Sequence, residues 1–379
     1  MPMVELREDI LMKSDRDNFM PDETPKALGY RMPAEWEPHA ATWIAWPHER
    51  EDWPGKFGPI PWVYTEIVRH LSRSEPVHIL INDGCARRQA VKRLERGGVD
   101  LDKVTFHKIR TDRVWTRDTG PTFVVKDGEA PELRVGCVDW KFNGWAKYDN
   151  HVHDDKVARK TAKTLGFPRW KAQATTTAGE VVRFVLEGGS IEVNGKGTVI
   201  TTEECLLSDV QSRNPKLTRE QVEQGLHNYL GTRHVIWLDK GIDGDDTHGH
   251  VDDLARFVGP STVAIVVEPD PNDCNHKLLS ANRKLLAAAT DQDGKKLEVI
   301  ELPMPRPVLF EGQRLPASYA NFYIGNSVVL VPTFNDPADR VALKILAKAF
   351  RDREVVGIHA VDLVWGLGTI HCLTEQQPA

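Results

Sequence analysis

A chain of 379 residues, 40% hydrophobic and 27% charged, has the make-up of an ordinary globular protein and the length to bury a sizeable core. A formal net charge of -6 leaves no basic footprint for a nucleic-acid partner, and no apolar run approaches the roughly 18 residues of a membrane span. Five scattered cysteines without a Cys-x-x-Cys pair argue against a disulfide framework or a structural zinc site; together with a start that lacks a signal-peptide layout, they point to a reduced, cytoplasmic setting.

Residues 1–24 are polar and charged with few apolar anchors, and read as a loosely ordered arm. From Pro25 onward no Pro-rich or Ser/Gly-rich linker interrupts the chain, so residues 25–379 read as one domain. Within it, Val63, Ile67 and Leu71 recur at helical spacing and lead to a strand over 77–81. The run from Trp115 to Pro121 enters a strand over 122–125. Thr218 and Gln221 form a capping box ahead of Val222, Leu226, Tyr229 and Leu230, with a strand over 234–238 behind them. Apolar strands over 256–259 and 263–267 flank the turn Gly259-Pro260-Ser261. A helix marked by Leu278, Leu285, Leu286 and Ala289 follows, and then a strand over 299–302. The same order recurs with strands over 322–325 and 328–331 around Gly325-Asn326-Ser327, a helix marked by Val341, Ile345 and Ala349, and a strand over 354–358. A repeated strand, strand, helix, strand unit predicts an α/β protein with mixed sheets.

No GxxxxGK[ST] phosphate loop and no well-placed GxGxxG are present, so nucleotide chemistry has no foothold. Three other segments carry chemistry. In Trp115-Thr116-Arg117-Asp118-Thr119-Gly120-Pro121 an acid lies between an arginine and a Gly-Pro turn. This can hold a carboxylate at a cavity mouth, or simply an Arg-Asp pair locking a turn. In His248-Gly249-His250-Val251-Asp252-Asp253, His250 and Asp252 would share a face if the segment were a strand. The same run is open to a metal-ligand reading, though further ligands are not evident. His151 and His153 sit in a polar run that reads as a solvated loop. Finally, Cys372 follows the glycine-containing approach Trp365-Gly366-Leu367-Gly368-Thr369-Ile370-His371; a lone cysteine is most often a buried small hydrophobe.

Taken in order, these segments resemble the agmatine deiminase and bacterial peptidyl-arginine deiminase family of the guanidino-group-modifying superfamily. The markers are Arg31 to His39 (RMPAEWEPH), Trp115 to Pro121, Glu187-Gly188-Gly189-Ser190, His248 to Asp252, Ser318 to Tyr323 (SYANFY) and Ile370-His371-Cys372. The resemblance runs from about Pro25 to the C-terminus. It implies the pentein fold, a five-bladed α/β propeller of pseudo-five-fold ββαβ units with a central active site, and relatives of this kind suggest a homodimer.

By the same resemblance, Asp118 and Asp252 hold a guanidinium in paired hydrogen bonds, Cys372 attacks its carbon, His250 serves as acid and base, and Glu187 orients His250 or adds negative charge. Trp115, Asp246 and Asp336 are candidates for substrate contact, although Asp336, followed by Pro337, fits a helix cap equally well. The implied chemistry needs no metal and no organic cofactor. The expected reaction is hydrolytic deimination of agmatine, with peptidyl-arginine or free arginine as other substrates. Amidino transfer, or a metallo-hydrolase built on His248 and His250, belongs to other classes. Gly366-Leu367-Gly368-Thr369 departs from the Gly-Gly-Gly-Asn run usual before Ile-His-Cys in the agmatine group, and His248 and Asp253 replace its more usual residues. Substrate choice therefore stays open here.

Overall fold

The computed structural model describes residues 23–379. The arm expected over residues 1–24 lies, as far as residue 22, outside the described residues. Three helices join an apolar stripe to a start signal. Ile60–Leu71 carries Pro61 in its first turn and buries Ile60, Tyr64, Ile67, Val68 and Leu71. Arg219–Leu230 begins with the reciprocal Thr218–Gln221 box and buries Val222, Leu226, Tyr229 and Leu230. Pro337–Ala349 begins with a second such box, between Asp336 and Asp339.

The repeating unit is borne out in the sheets. Thr122–Val125 pairs antiparallel with Val135–Asp139, which pairs parallel with Arg169–Lys171 across the helix Val157–Leu165. Glu192–Val193, Thr198–Thr202 and His234–Leu238 repeat that order around Arg219–Leu230. Ala255–Gly259, Thr262–Val267 and Glu298–Pro303 repeat it around Asn275–Ala288. Tyr323–Ile324, Val328–Thr333 and Glu354–His359 repeat it around Pro337–Ala349. In the remaining sheet the antiparallel strand comes from the far end of the chain. Thr374–Pro378 pairs with His39–Ala45, which runs parallel to Val77–Leu80, itself parallel to Val104–His107. Among the described residues there are thus four three-stranded sheets and one four-stranded sheet of one topology, beside two small hairpins.

The middle strands are buried on both faces, as Val328 to Val331 and Val263 to Val266 show, which is why they read as unbroken apolar runs rather than alternating ones. Apolar side chains gather in one large cluster, including Trp43, Trp53, Phe257 and Phe322, and a second around Trp140, Trp170 and Phe184. Among the described residues no helix is long and apolar enough to cross a membrane.

One regularity of this topology positions chemistry. A few residues before the antiparallel entry strand of each sheet stands one polar group: Asp118 before Thr122, Glu187 before Glu192, Asp252 before Ala255, Asn321 before Tyr323 and Cys372 before Thr374. All five are buried.

Candidate active site

The five entry segments converge. Where the segments of Asp118, Glu187 and Asp252 meet lies Gly189, in the short 3-10 turn Gly188–Ser190. A Cβ there would stand 2.5 Å from His250 Nδ1 and 3.0 Å from both Asp118 Oδ1 and Asp252 Oδ2. Only a residue without a side chain lets an imidazole and two carboxylates approach the backbone this closely.

Asp118 sits in the four-residue turn Thr116–Thr119. Its Oδ1 accepts from the Gly189 N–H at 2.9 Å and its Oδ2 from the Trp145 indole N–H at 2.8 Å. Trp145 adopts a left-handed φ of 57°, an uncommon conformation for an aromatic residue, in delivering that N–H. His250 Nδ1 lies 4.0 Å from Asp118 Oδ2 and 3.9 Å from Asp252 Oδ1, and its Nε2 lies 3.8 Å from Glu187 Oε2. The loop carrying His250 is fixed by Asp245, whose Oδ2 accepts from the N–H groups of Gly249 and His250 at 2.7 and 2.9 Å.

Cys372 lies in the turn Ile370–Leu373. Its sulfur is 3.7 Å from Asp252 Oδ2, and the Asn321 amide donates to it at 3.1 Å. The same Asn321 accepts through Oδ1 from the Thr369 hydroxyl at 2.6 Å, which fixes the amide. Trp115 closes this side. A Cβ on Gly368 would come within 2.8 Å of the Trp115 ring and 3.2 Å of Cys372 Cβ, so the glycine in the approach to the cysteine serves close contact with Trp115.

A second row of charges holds the first. The His371 ring lies with Nδ1 2.7 Å from Asp252 Oδ2 and Nε2 2.8 Å from Glu35 Oε2. Glu35 in turn meets Arg256 at 2.9 Å and Arg117 at 3.3 Å. Arg213 Nε donates to Glu187 Oε1 at 3.0 Å and its other nitrogens bond the carbonyls of Gln211 and Thr247.

Electrostatics follow from this crowding. Burial, then Asp252, Asp253 and Asp118, push the Cys372 thiol well above its ordinary range. Burial, assisted by Asp252 and Glu187 and opposed by His250, also raises Asp118. Against burial, His371 and His250 lower Asp252, and Arg213 with His250 brings Glu187 down to about 2. Burial alone would strip the His250 proton, but Asp118, the Cys205 thiol and Glu187 raise its pKa well above the usual histidine value. The site is therefore an acidic cage around one imidazolium, with a thiol at its edge. Buried oxygen Asp252 Oδ1 has no hydrogen-bond partner. An orphaned carboxylate oxygen beside a thiol, in a cage of acids, suits a planar cationic ligand.

With that geometry in hand, comparison with known proteins decides the lineage. The model of the Porphyromonas-type peptidyl-arginine deiminase family matches residues 31–378. The chain belongs to that family. Among its relatives, an agmatine deiminase of Ectopseudomonas mendocina is 37% identical, covering 94% of this chain and 97% of that protein. An agmatine deiminase structure from Enterococcus faecalis superposes with a TM-score of 0.83 at 34% identity, covering 94% of this chain and 98% of the other. A substrate-bound C. jejuni agmatine deiminase gives a TM-score of 0.79 at 29% identity, covering 92% and 96%. The fold is accordingly the pentein-type α/β fold of these deiminase structures.

Of the residues singled out from the sequence, the structure brings Asp118, Glu187, His250, Asp252 and Cys372 together, with Trp115 against the cysteine loop. His250 and Asp252 do not pair as they would on a strand. The segment is not a strand but a 3-10 turn, Val251–Asp253, entered from an extended His250, and the two side chains meet through that turn. Asp336 serves instead as the cap of Pro337–Ala349: its Oδ1 accepts from the Ala338 N–H at 2.8 Å, and its Oδ2 meets Arg306 at 2.7 Å. Asp246 stands near Trp145, both joined by Gln211, but its carboxylate already takes Lys147 and the Tyr148 hydroxyl. His248 turns away to Ser208, so the His248–His250 metal reading has no geometric basis.

Sequence reasoning assigned no role to Glu35, Trp145, Asn321, His371 or Arg213. Three of them lie inside the markers that carry the family resemblance, Glu35 in RMPAEWEPH, Asn321 in SYANFY and His371 in Ile-His-Cys, so a signal was present for those. Trp145 and Arg213 lie outside every marker.

Proposed function

We propose that this family member is a hydrolase acting on a C–N bond of a linear amidine, and that it deiminates agmatine to N-carbamoylputrescine and ammonia. The observation that carries the reading is the convergence of one imidazole and two carboxylates on Gly189, with the Cys372 thiol 3.7 Å from one of those carboxylates and Asp252 Oδ1 left unpartnered. The agmatine deiminase relatives at 37% identity over most of both chains support agmatine over the other guanidino substrates.

In this reading Asp118 and Asp252 bind the planar guanidinium and hold its carbon beside Cys372. With that cation beside it, Cys372 loses its thiol proton to solvent and the thiolate attacks the carbon; the tetrahedral adduct collapses as His250 gives its proton to the departing nitrogen, releasing ammonia and leaving an S-alkylamidino cysteine. Neutral His250 then takes a proton from water as the oxygen attacks the same carbon. The thiolate leaves, the hydroxyl proton of the adduct passes to solvent as the C=O forms, and the product is a ureido group. Glu187 acts through His250 as a positioning residue, itself fixed by Arg213. Asn321, donating to sulfur, stabilises the thiolate in both steps. Trp115 lines the cysteine side of the substrate. Asp246 belongs to the outer rim, where an alkylammonium tail would compete with Lys147 for it.

We further read the five like sheets as blades of a propeller around this site, residues 25–379 as one domain, the protein as cytoplasmic, and its assembly as a homodimer. The shared sheet topology and the position of one site residue at the mouth of each entry strand support the propeller; the free cysteines suit a reducing compartment.

The test is steady-state ammonia release with agmatine, arginine and a blocked arginyl peptide, run beside Cys372→Ala. Agmatine should dominate the specificity and the variant should lose turnover with all three. A preference for either arginine compound, or a variant that keeps its activity, overturns the assignment.

A further inference from the structure

The mechanism uses Nδ1 of His250 toward the carboxylate pair; its other ring nitrogen faces a different group. Glu187, Cys205 and His250 each direct one donor atom into a common point, all within 4.8 Å of one another, and all three residues are buried. Among the described residues this is the group of His, Cys, Asp and Glu donors crowded closely enough to hold a metal ion. We propose that these three residues form a latent site for a thiophilic divalent cation, zinc foremost, and that its occupation arrests turnover. The arrest rests on the deiminase reading of His250, because a metal on Nε2 denies the ring the proton exchange that ammonia release and water attack require. The site itself does not rest on it.

Two of the three donors are waiting. His250 Nε2 and Glu187 Oε2 are buried and face each other as an ion pair at 3.8 Å, beyond hydrogen-bond reach, and neither has a hydrogen-bond partner, an expensive state for polar atoms. Zinc takes sulfur at about 2.3 Å and nitrogen or oxygen at about 2.0–2.2 Å in a tetrahedron, which sets neighbouring donors roughly 3.5 Å apart. The present spacing needs a contraction of only about 1 Å. The fourth position falls to water.

The surroundings are built to keep the donors in place. Arg213 anchors the other oxygen of Glu187 at 3.0 Å, leaving Oε2 directed inward. Cys205 lies in the short helix Glu203–Leu207, capped by Thr202, and the Thr202 hydroxyl donates to the Gly249 carbonyl at 2.5 Å, tying that helix to the His250 loop. Such outer contacts fix a ligand's direction before the metal arrives. Cys205 is a free thiol and has no part in the proposed reaction. On binding, the protons displaced from Cys205 Sγ and His250 Nε2 go to solvent. The dication therefore replaces them without changing the net charge of a closed site.

Zinc and cobalt(II) test this, the latter because a cobalt–thiolate bond adds a charge-transfer absorption that nitrogen and oxygen ligands lack. Metal-free Cys372→Ser protein removes the competing thiol. It should bind one cobalt per chain with the thiolate band, and Cys205→Ser should lose that band. Glu187→Gln should keep the band with at least tenfold weaker binding, which guards against a Cys205 variant that does not fold. In the otherwise unaltered enzyme, zinc should stop ammonia release, and Cys205→Ser should need at least tenfold more zinc for half-inhibition. A band lost in Cys372→Ser but kept in Cys205→Ser places the metal on the nucleophile and overturns the proposal, as does absence of stoichiometric binding. Because dialysis and absorption read the site without turnover, failure of the deiminase reading would leave those two signals standing. Cys205-dependent binding that leaves ammonia release intact overturns the arrest.

Discussion

Changing a neutral cysteine label for its cationic amidine analogue places one positive charge where the guanidinium belongs, and the structure sets how much that charge matters. Cys372 stands 3.7 Å from Asp252 Oδ2, and burial together with Asp252, Asp253 and Asp118 holds its thiol well above the ordinary range. A cation seated on Asp118 and Asp252 lies roughly 4 Å from the sulfur. At an effective dielectric constant near 20, a unit charge at that distance stabilises the thiolate by about 4 kcal/mol, which lowers the thiol pKa by about 3 units. A haloacetamide and the matching haloacetamidine, each referenced to a free small thiol to cancel intrinsic reactivity, compare the two states directly. The amidine should inactivate about a thousandfold faster than the amide at neutral pH, with its rate levelling off about 3 units lower in pH, and Asp118→Asn should erase most of that preference. If both labels titrate at one pKa, or the amide already reacts as with a preformed thiolate, the argument that substrate charge generates the nucleophile fails.

Gly189→Ala forces a methyl to 2.5 Å from His250 Nδ1; turnover should fall by about a hundredfold, as expected for small misplacements of a reacting group, while circular dichroism stays unchanged, and normal activity would refute the close approach. Asp336→Ala should leave KM for agmatine unchanged and cost about 1 kcal/mol in denaturant unfolding, the worth of an N-cap; a raised KM would return Asp336 to the substrate site. Glu187 has its pKa lowered from 4.5 to about 2, so its ionisation contributes stability that is complete above about pH 4.5 and is lost as pH falls toward 2, of order 3 kcal/mol. The stability gap between the native chain and Glu187→Gln should shrink across that window in thermal melts, and a gap constant down to pH 3 would contradict the pairing with Arg213 and His250.

Much of this architecture is legible in residue order because it is local. The Thr218–Gln221 box, the stripe of Ile67 and Leu71, and the doubly buried runs at 263–266 and 328–331 each report their element from neighbours in sequence. The site is less legible because it is assembled from chain ends of many strands. Nothing near His371 indicates that its ring spans Asp252 and Glu35, and nothing near Trp145 indicates an indole turned onto Asp118. Those contacts depend on how five sheets are set against each other, which periodicity does not encode. Spacing also misled once: His250 and Asp252 do share a site, through a 3-10 turn rather than the strand their two-residue interval suggested. Asp336 shows the opposite limit, since an acid ahead of Pro337 is a sufficient helix cap and needs no ligand to account for it.

Deimination by this site turns on a covalent bond between Cys372 and the amidine carbon. Acid-quenched turnover of agmatine, followed by mass analysis of the peptide bearing Cys372, reads that bond directly. The predicted result is an adduct equal to agmatine less ammonia on Cys372, present during turnover and gone when substrate is exhausted. Continued ammonia release with that cysteine unmodified, or with the adduct on another side chain, would contradict it.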